Sequence, residues 1–329
     1  MSSPVKPARA RAFIDWLTHG YGPILQAGFE FCGGPRVIAR GDRVCIKPNL
    51  TFPYFRQGVM TNPEALEALV LYLKDYTDNI TICESDSGGY NRFSMDEVFH
   101  ATGIAEMAGR YGVRVVNMSY APSRMISVAA GFRRLRVPLP TLLLDETDVF
   151  ITVPVPKVHL NTVVSAAVKN QWGVIQVPAT RLTLHPYFKE VIYQINKSMP
   201  RSFALVDAKY ALTRSGPLRG DAVEWNWAMV TDSIFYADLI LTYFMGLPPR
   251  RIPYLEYIFR KESIRSLEEV AFNVEYSPFK KEALHLRREW TDYPGLFTFN
   301  SRFLAYVGYE SLLAKPLHWL LYRFREPFF

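Results

Sequence analysis

The sequence predicts an α/β protein with a mostly parallel sheet flanked by helices, followed by an aromatic, mainly helical C-terminal extension. Five short apolar runs rich in β-branched residues alternate with segments of helical periodicity, an order typical of parallel sheets with right-handed crossovers. Each run turns polar in its last residues, as strands do where they leave a buried sheet. The five runs are residues 43–49, 80–86, 113–119, 149–159 and 203–209.

The chain is predicted to have three parts: an N-terminal helical arm, an α/β core domain and the C-terminal extension, at residues 1–40, 41–250 and 251–329. The arm is predicted because Phe13, Trp16, Leu17 and Tyr21 have helical spacing. The extension is set apart by its aromatic, basic and proline-punctuated composition.

Helix starts separate the predicted strands of the core. Thr61 or Asn62 can cap a helix that has Pro63 in its first turn and Glu64 to complement the dipole. A capping box is predicted further on, where Glu97 follows Ser94 by three positions. Residues 132–137 are predicted to form one strand of a hairpin.

Composition limits the classes of partner and location. The 329 residues carry a net charge of +7, which favours anionic partners, but no block of five or six like charges indicates a nucleic-acid-binding tail. No apolar stretch reaches the roughly 18 residues of a membrane span, and no secretory signal is evident. The cysteines are Cys32, Cys45 and Cys83, and they form no C-x-x-C pair. This odd, sparse count fits a reducing, cytoplasmic location, and three thiolates are too few for a four-cysteine iron–sulfur cluster.

Polar side chains spaced two apart close the predicted strands. In an open α/β sheet, ligands bind beyond the carboxyl ends of the strands. If the five strands share one parallel sheet, these side chains converge there. The converging residues are Lys47, Asn49, Glu84, Asp86, Lys157 and His159.

The segment Glu84-Ser85-Asp86-Ser87-Gly88-Gly89 supports two kinds of chemistry. Paired carboxylates bind a hard divalent cation through oxygen, so Glu84 and Asp86 are candidate metal ligands. Alternatively, one of them acts as a general base that the other orients, so both are candidate catalytic residues. Ser87 and Gly88 are candidate substrate-binding residues, because glycine lets backbone amides approach an anion closely. A turn whose acids cap the next helix is the structural alternative.

Lysine and histidine side chains are candidates for holding and protonating an anion. Lys157, Lys169 and Lys47 can bind a carboxylate or phosphate as point charges. His159 is a candidate general acid or base, and a satisfied structural histidine is its alternative. Lys47 has the alternative of a snorkelling surface lysine.

Other polar residues complete the predicted site. Asn49 and Asn170 are candidate substrate-binding residues by hydrogen bonding, and Arg181 is a third. Arg181 shares a face with His185 if the segment is helical, whereas Pro178 and Pro186 also fit a loop over the site. Asp232 and Asp238 are predicted to cap or pair rather than to catalyse.

Known nucleotide and hydrolase motifs are missing from the sequence. There is no G-x-x-x-x-G-K-[ST] phosphate loop, no H-E-x-x-H, no G-x-S-x-G, and no G-x-G-x-x-G after a strand. These absences weaken nucleotide-cofactor interpretations.

At these residues the chain resembles the domain of unknown function 362 family, over about residues 40–250. The Pro-Lys-x-His…Lys-Asn combination is the most specific part of the resemblance. The matching pieces are Lys47-Pro48-Asn49, Thr61-Asn62-Pro63, Glu84 to Gly89, Pro156 to His159, Lys169-Asn170 with Gly173, Ser215-Gly216-Pro217 with Gly220, the Asp232 to Asp238 stretch and Met245-Gly246.

The resemblance implies an α/β fold found in bacterial and archaeal proteins, mostly without assigned activity. Some members of the family carry iron–sulfur modules, but this chain has no cysteine cluster, so that redox role is not implied for it. Asp232 is followed by Ser-Ile-Phe-Tyr, where the family often reads Asp-Pro-Val-Ala.

Three functions follow from these features. The first is an enzyme that acts on a small anionic substrate by acid/base chemistry at the carboxyl edge of the sheet, with lyase, isomerase and ligase or transferase reactions all open. The second is a binding or assembly protein that docks a partner or a membrane surface through residues 309–329, whose leucines have helical periodicity; packing of this tail on its own domain is the alternative. The third is a redox protein with a partner-supplied cofactor.

Overall fold

The computed structural model describes residues 8–33, 38–87, 93–321 and 323. Twelve strands are found in this part of the chain: β1 Ala10–Trp16, β2 Val44–Pro48, β3 Ile80–Glu84, β4 Arg114–Asn117, β5 Ser123–Ala130, β6 Arg133–Pro140, β7 Val149–Val153, β8 Lys157–His159, β9 Val163–Ser165, β10 Arg201–Thr213, β11 Asp221–Thr231 and β12 Val270–Phe272.

Thirteen α-helices are found in the same residues: α1 Tyr21–Phe31, α2 Pro63–Lys74, α3 Met95–Ala101, α4 Ile104–Tyr111, α5 Thr141–Asp145, α6 Ala167–Asn170, α7 Pro178–Thr183, α8 Phe188–Ser198, α9 Ile234–Phe244, α10 Pro253–Lys261, α11 Tyr293–Asn300, α12 Arg302–Tyr309 and α13 Ala314–Leu321. A search of the described helices finds none with the length and apolarity to cross a membrane.

The centre of the molecule is a mixed sheet of ten strands. Its main path runs β12-β1-β11-β10-β7-β2-β3-β4, and β8 pairs with both β10 and β9. The strands β10, β7, β2, β3 and β4 are parallel to one another along this path, whereas β11 is antiparallel to β10. All five predicted runs form strands of this sheet, which confirms the predicted α/β fold class.

Helices cover both faces of the sheet and form two apolar cores. One core contains side chains of α1 to α4, such as Leu25, Leu69 and Val98. The other contains side chains of α8 to α10, such as Ile192 and Leu241, together with the inner face of the β5–β6 hairpin. The strands between them are buried on both faces, which explains their continuous apolar runs.

Local capping agrees with the sequence. Asn62 accepts a hydrogen bond from the Glu64 backbone N–H at 3.0 Å, and Pro63 begins α2. Ser94 and Glu97 form the predicted capping box at the start of α3. The predicted hairpin strand is β6, and its partner β5 had no prediction.

The helical prediction for the N-terminal segment is wrong before Tyr21. Ala10, Ala12 and Ile14 are buried in alternation, and β1 pairs with β11 on one side and β12 on the other. The pairing partners lie more than 200 residues away, so local spacing could not reveal them. The sheet therefore includes strands from before residue 40 and from after residue 250.

Candidate functional site

The ends of β2 and β3 bring a lysine and a glutamate into a buried ion pair. Lys47 Nζ lies 2.7 Å from Glu84 Oε2, and the two side chains are 1% and 5% exposed. The pair forms because β2 and β3 are adjacent and parallel, so both side chains leave the sheet at the same edge. Each charge compensates the other where water is excluded.

Lys157, which begins β8, lies beside this pair. Its ammonium group donates a hydrogen bond to the backbone carbonyl of Val59. The pKa of Lys157 is lowered to about 7, first by burial and then by the positive charges of Lys169 and Lys47. The negative charge of Glu84 acts in the opposite direction. The predicted convergence of Lys47, Glu84 and Lys157 is therefore what the structure contains.

Lys169 in α6 adds a fourth charged group. Burial lowers its pKa to about 7, together with the positive charges of Arg181 and Lys47. Its Nζ lies 5.9 Å from the centroid of the Phe188 ring. In the described part of the chain, neither Lys157 nor Lys169 has a carboxylate within ion-pair distance.

His159 is held in a defined tautomer. Its Nδ1 accepts hydrogen bonds from the backbone N–H groups of Asn161 at 3.1 Å and Thr162 at 3.3 Å. Burial moves the pKa of His159 well below its usual value, and the nearby charge of Lys169 adds to this effect. The ring is therefore neutral at pH 7, with its proton on Nε2.

His185 lies close to Asn161 and is packed among aromatic rings. Its ring is 5.1 Å from that of Phe188 and 5.3 Å from that of Phe299, and it contacts the Asn161 amide. Burial lowers its pKa to about 3, with a further contribution from Lys169. His185 is thus an uncharged wall of the site at neutral pH.

Arg181 connects neighbouring loops through hydrogen bonds. Its guanidinium donates to the carbonyls of Ile175 and Asp86 and to Ser85 Oγ, at 2.9, 2.7 and 2.5 Å. It is buried in α7, which ends at Thr183, and His185 begins a separate 3-10 turn, so the two residues do not share one helix as the helical alternative supposed. These hydrogen bonds hold the 85–86 and 173–175 segments together, and a role of Arg181 in substrate binding stays a prediction.

The two carboxylates of the Glu84 to Asp86 segment have different partners. Asp86 Oδ1 accepts from the Met95 backbone N–H at 2.7 Å and from Asn117 Nδ2 at 3.0 Å, so Asp86 sits at the start of α3. This is the capping role that was the structural alternative. Among the described residues, no three His, Cys, Asp or Glu side chains lie close enough to hold a metal ion. Ser87 is half-buried, and Gly88 lies outside the described residues.

The two asparagines brace the strand ends. Asn170 Nδ2 donates to the Lys47 carbonyl at 3.2 Å and to Thr152 Oγ1 at 2.8 Å, which ties α6 to β2 and β7. Asn49 is half-buried, and its backbone N–H donates to Thr61 Oγ1 at 2.8 Å. The contacts of Asn170 are thus internal to the protein.

Two residues near the site had no predicted place in it. A Cβ atom on Gly173 would lie 2.9 Å from Glu84 Oε1 and 3.1 Å from Lys47 Nζ, so any other residue would force the ion pair to shift. Asp207 is buried at the Tyr21 hydroxyl and the Asn62 backbone N–H, both at 2.7 Å. Gly173 was visible in the sequence as part of the Lys169-Asn170 motif, whereas Asp207 was marked only by its place near the end of a predicted strand. The observed strand β10 continues to Thr213, so Asp207 lies in its middle.

Asp238 in α9 holds the start of α6, and so the backbone that carries Lys169. It accepts from the Val168 backbone N–H at 3.0 Å and from the Tyr254 hydroxyl at 3.3 Å. Burial raises the pKa of Asp238 to about 7, against the lowering effect of these hydrogen bonds. Asp232 accepts from the Arg11 backbone N–H at 2.8 Å. Both aspartates therefore have capping or pairing roles.

The features above define an α/β protein with a buried, cation-rich cluster at the carboxyl ends of its parallel strands. We call Lys47, Glu84, Lys157, His159 and Lys169 the cation cluster. A family model described as domain of unknown function (DUF362) matches residues 44–242, more than half of the chain. The chain therefore belongs to the domain of unknown function 362 family, which confirms the resemblance seen in the sequence.

A curated relative and two solved structures are similar to this chain. A thylakoid-associated protein of Synechocystis sp. is 23% identical over 242 residues, which cover 70% of this chain and 71% of the relative. The lactate racemase apoprotein of Thermoanaerobacterium thermosaccharolyticum aligns at a TM-score of 0.44 and 13% identity, over 75% of this chain and 60% of that one. A crystal structure of a Thermotoga maritima protein aligns at 0.38 and 14%, over 54% and 48%.

Proposed function

We propose that this protein is an enzyme that binds a small carboxylate or phosphate at the cation cluster and transfers protons there. The observation that carries the proposal is the pair Lys157 and Lys169, a buried and a half-buried lysine without a carboxylate within ion-pair distance among the described residues. An unpaired buried charge is costly to a folded protein. A substrate anion would supply the missing counter-charge.

The protonation states of the cluster suit acid/base chemistry. A lysine with a pKa of about 7 is divided between ammonium and amine at neutral pH, the condition under which a general acid or base is most effective. Neutral His159 offers an Nε2–H as a hydrogen-bond donor. Glu84 keeps Lys47 charged and in place, so the predicted catalytic role of Glu84 becomes one of positioning in this proposal.

Proton abstraction from the carbon next to a carboxylate is the reaction that this set serves most directly. One lysine would hold the substrate carboxylate as the ammonium, and the other would accept the carbon-bound proton as the amine. Proton exchange at this carbon is shared by several lyase and isomerase reactions.

The test is proton exchange in D₂O, followed by NMR with a panel of short carboxylic acids. We expect the wild-type protein to exchange the α-hydrogen of at least one acid, and Lys169→Met to slow this exchange by about a hundredfold or more. Lys189→Met, which removes a half-exposed lysine of α8, is the matched control and leaves the rate unchanged. Equal exchange by wild type and Lys169→Met would remove the lysine from the mechanism.

A binding measurement separates substrate recognition from chemistry. Phosphate or a short carboxylate is expected to raise the melting temperature of the wild-type protein and to leave that of a Lys157→Met/Lys169→Met variant unchanged. If both proteins respond equally, the anion binds elsewhere and the proposed site is wrong.

The other predictions on function and location remain proposals. A divalent cation at Glu84 and Asp86 is testable by calorimetric titration with Mg²⁺, and a redox role with a partner-supplied cofactor by the visible spectrum of the native protein. A cytoplasmic location is one proposal and a membrane-associated location is the alternative, because the Synechocystis relative is named for its association with thylakoids. Fractionation of native cells distinguishes the two locations.

A further inference from the structure

The last two described helices turn apolar side chains outward. We call Phe303, Leu312, Leu313, Leu317, Trp319 and Leu320 the C-terminal apolar face. Leu312 is 98% exposed, Trp319 62% and Leu317 44%. Soluble proteins scatter single apolar residues over their surface, but a contiguous group of this kind marks a surface that meets something else.

The geometry of α13 shows that this exposure is systematic. Leu313, Leu317 and Leu320 are spaced four and three residues apart, so they lie on one side of the helix. The adjacent side, about a third of a turn away, carries Ala314, which is buried, and His318, whose Nε2 lies 3.0 Å from the Gly308 carbonyl. A helix that packed its apolar side on its own domain would have the reverse orientation.

The charges around this face select an anionic surface. Arg302, Lys315 and Arg323 are exposed in this part of the chain, and Glu310 is the one acidic residue between positions 302 and 323 of the sequence. The Arg323 guanidinium lies 4.5 Å from the centroid of the Trp319 ring. Aromatic rings combined with arginine or lysine are typical of groups that sit at the level of lipid headgroups.

The length of α13 decides how it would meet a membrane. It has eight residues, too few to cross a bilayer, so the helix would lie along the surface with its apolar side in the headgroup region. We propose that the C-terminal apolar face binds the surface of an anionic lipid bilayer, with Arg302, Lys315 and Arg323 contacting the headgroups. This proposal is independent of the chemistry at the cation cluster.

The test is flotation of the full chain with two kinds of vesicle: phosphatidylcholine alone, and phosphatidylcholine mixed with phosphatidylglycerol. We expect the wild-type protein to float with the anionic vesicles and much less with the neutral ones. Leu317→Ser/Leu320→Ser is expected to weaken binding at least tenfold, since two leucines lose their apolar contact. Lys315→Gln is expected to weaken binding to anionic vesicles about fivefold and to leave neutral vesicles unaffected.

Phe132→Ser is the matched control. Phe132 is a fully exposed aromatic residue in the turn between β5 and β6, and its loss should not alter flotation. All variants lie on the surface, so equal melting temperatures would show that they fold.

Two results would overturn the proposal. One is that Leu317→Ser/Leu320→Ser and the wild-type protein behave alike in flotation, whether both float or neither does. The other is a wild-type dimer in analytical ultracentrifugation that the double variant abolishes and that anionic vesicles leave intact, which would assign this face to a second copy of the chain.

Discussion

Lys47 and Glu84 form a buried ion pair across two adjacent parallel strands, with 2.7 Å between Nζ and Oε2. Lys47 also donates to the Pro48 carbonyl at 3.3 Å, and the Ser85 backbone N–H donates to Glu84 Oε1 at 3.0 Å. These contacts fix both side chains at the edge of the sheet. The ion pair is therefore the best-anchored part of the cation cluster.

Breaking this pair is expected to destabilise the protein strongly. Glu84→Gln leaves the Lys47 ammonium buried without a counter-charge, which should lower the free energy of unfolding by about 3–5 kcal/mol. Urea denaturation measures this change. Asp148→Asn, which breaks the exposed Arg43–Asp148 pair, serves as the control and should have a much smaller effect. Similar losses in the two variants would contradict the importance of the buried pair.

The stability of the free protein is expected to rise between pH 7 and pH 10. Lys157 and Lys169 have their pKa lowered from 10.5 to about 7, chiefly by burial, so the unfolded chain binds more protons than the folded one in this range. Each lysine then adds about 1.4 kcal/mol of stability per pH unit. The destabilisation that comes from burying the two charged lysines is fully present below pH 7 and is lost as the pH rises toward 10.5.

Lys157→Met/Lys169→Met should remove this pH dependence. Urea denaturation at pH 7 and pH 9 gives the comparison, with Lys189→Met as the control. We expect the double variant to be more stable than the wild type at pH 7, with a smaller difference at pH 9. Parallel pH profiles of the two proteins would show that the lysines are not charged and unpaired in the folded state.

A side chain at position 173 is expected to disturb the ion pair. Gly173→Ala places a methyl group 2.9 Å from Glu84 Oε1, which should cost about 1–3 kcal/mol of stability and weaken anion binding. Gly109→Ala is the matched control, because Gly109 faces open space in α4 and alanine there should stabilise the helix by about 0.5–1 kcal/mol. Denaturant unfolding and phosphate titration check both results. An unchanged Gly173→Ala protein would contradict the close packing described here.

Asp238 is expected to act as a hydrogen-bond acceptor that positions Lys169. Asp238→Ala leaves the Val168 N–H without this partner and should cost about 1–3 kcal/mol, whereas Asp238→Asn keeps an acceptor and should cost less. The pKa of Asp238 is raised to about 7 by burial, so the folded protein holds this proton more tightly than the unfolded chain. Stability should therefore fall between pH 4 and pH 7, and Asp238→Asn should flatten that fall.

Urea denaturation at pH 5 and pH 7 provides the measurement, with the exposed Asp148→Asn as the reference. The titration midpoint of Lys169 in the Asp238→Ala protein gives a second readout, because a shifted α6 changes the surroundings of that ammonium group. If alanine and asparagine behave alike at both pH values, the capping interaction has no role in placing Lys169.

Several features of the site were predictable from the sequence because they depend on short periodicities. The segments that carry Lys47, Glu84 and Lys157 were marked by apolar runs with polar residues two apart. The run 149–159, predicted as one strand, is two strands, β7 and β8, and Lys157 begins the second. The capping roles of Asp232 and Asp238 followed from the cost of burying a carboxylate in an apolar stretch. Arg181 was found as a residue of the site, but its positioning role depends on carbonyls of the 85–86 and 173–175 segments, which no local pattern displays.

β1 shows the limit of such inference most clearly. Phe13, Trp16, Leu17 and Tyr21 are spaced as on a helix, yet β1 pairs with strands that begin at residues 221 and 270. Its conformation is decided by long-range hydrogen bonding, which outweighs local preference. β12 is also a short strand whose only recorded pairing is with β1 among the described residues.

By itself, the sequence determined which apolar runs form strands and where α2 and α3 begin, because strand periodicity and helix capping are local properties of the chain. It also determined the family, because the lysine, histidine and asparagine motifs are contiguous. Only the tertiary structure decided that β2 lies between β7 and β3 and that Gly173 lies against Lys47. It also decided that Lys157 and Lys169 leave the solvent without a carboxylate of the described residues at ion-pair distance. Strand order and burial arise from packing between segments far apart in the chain, and their energies are not encoded in any one of those segments.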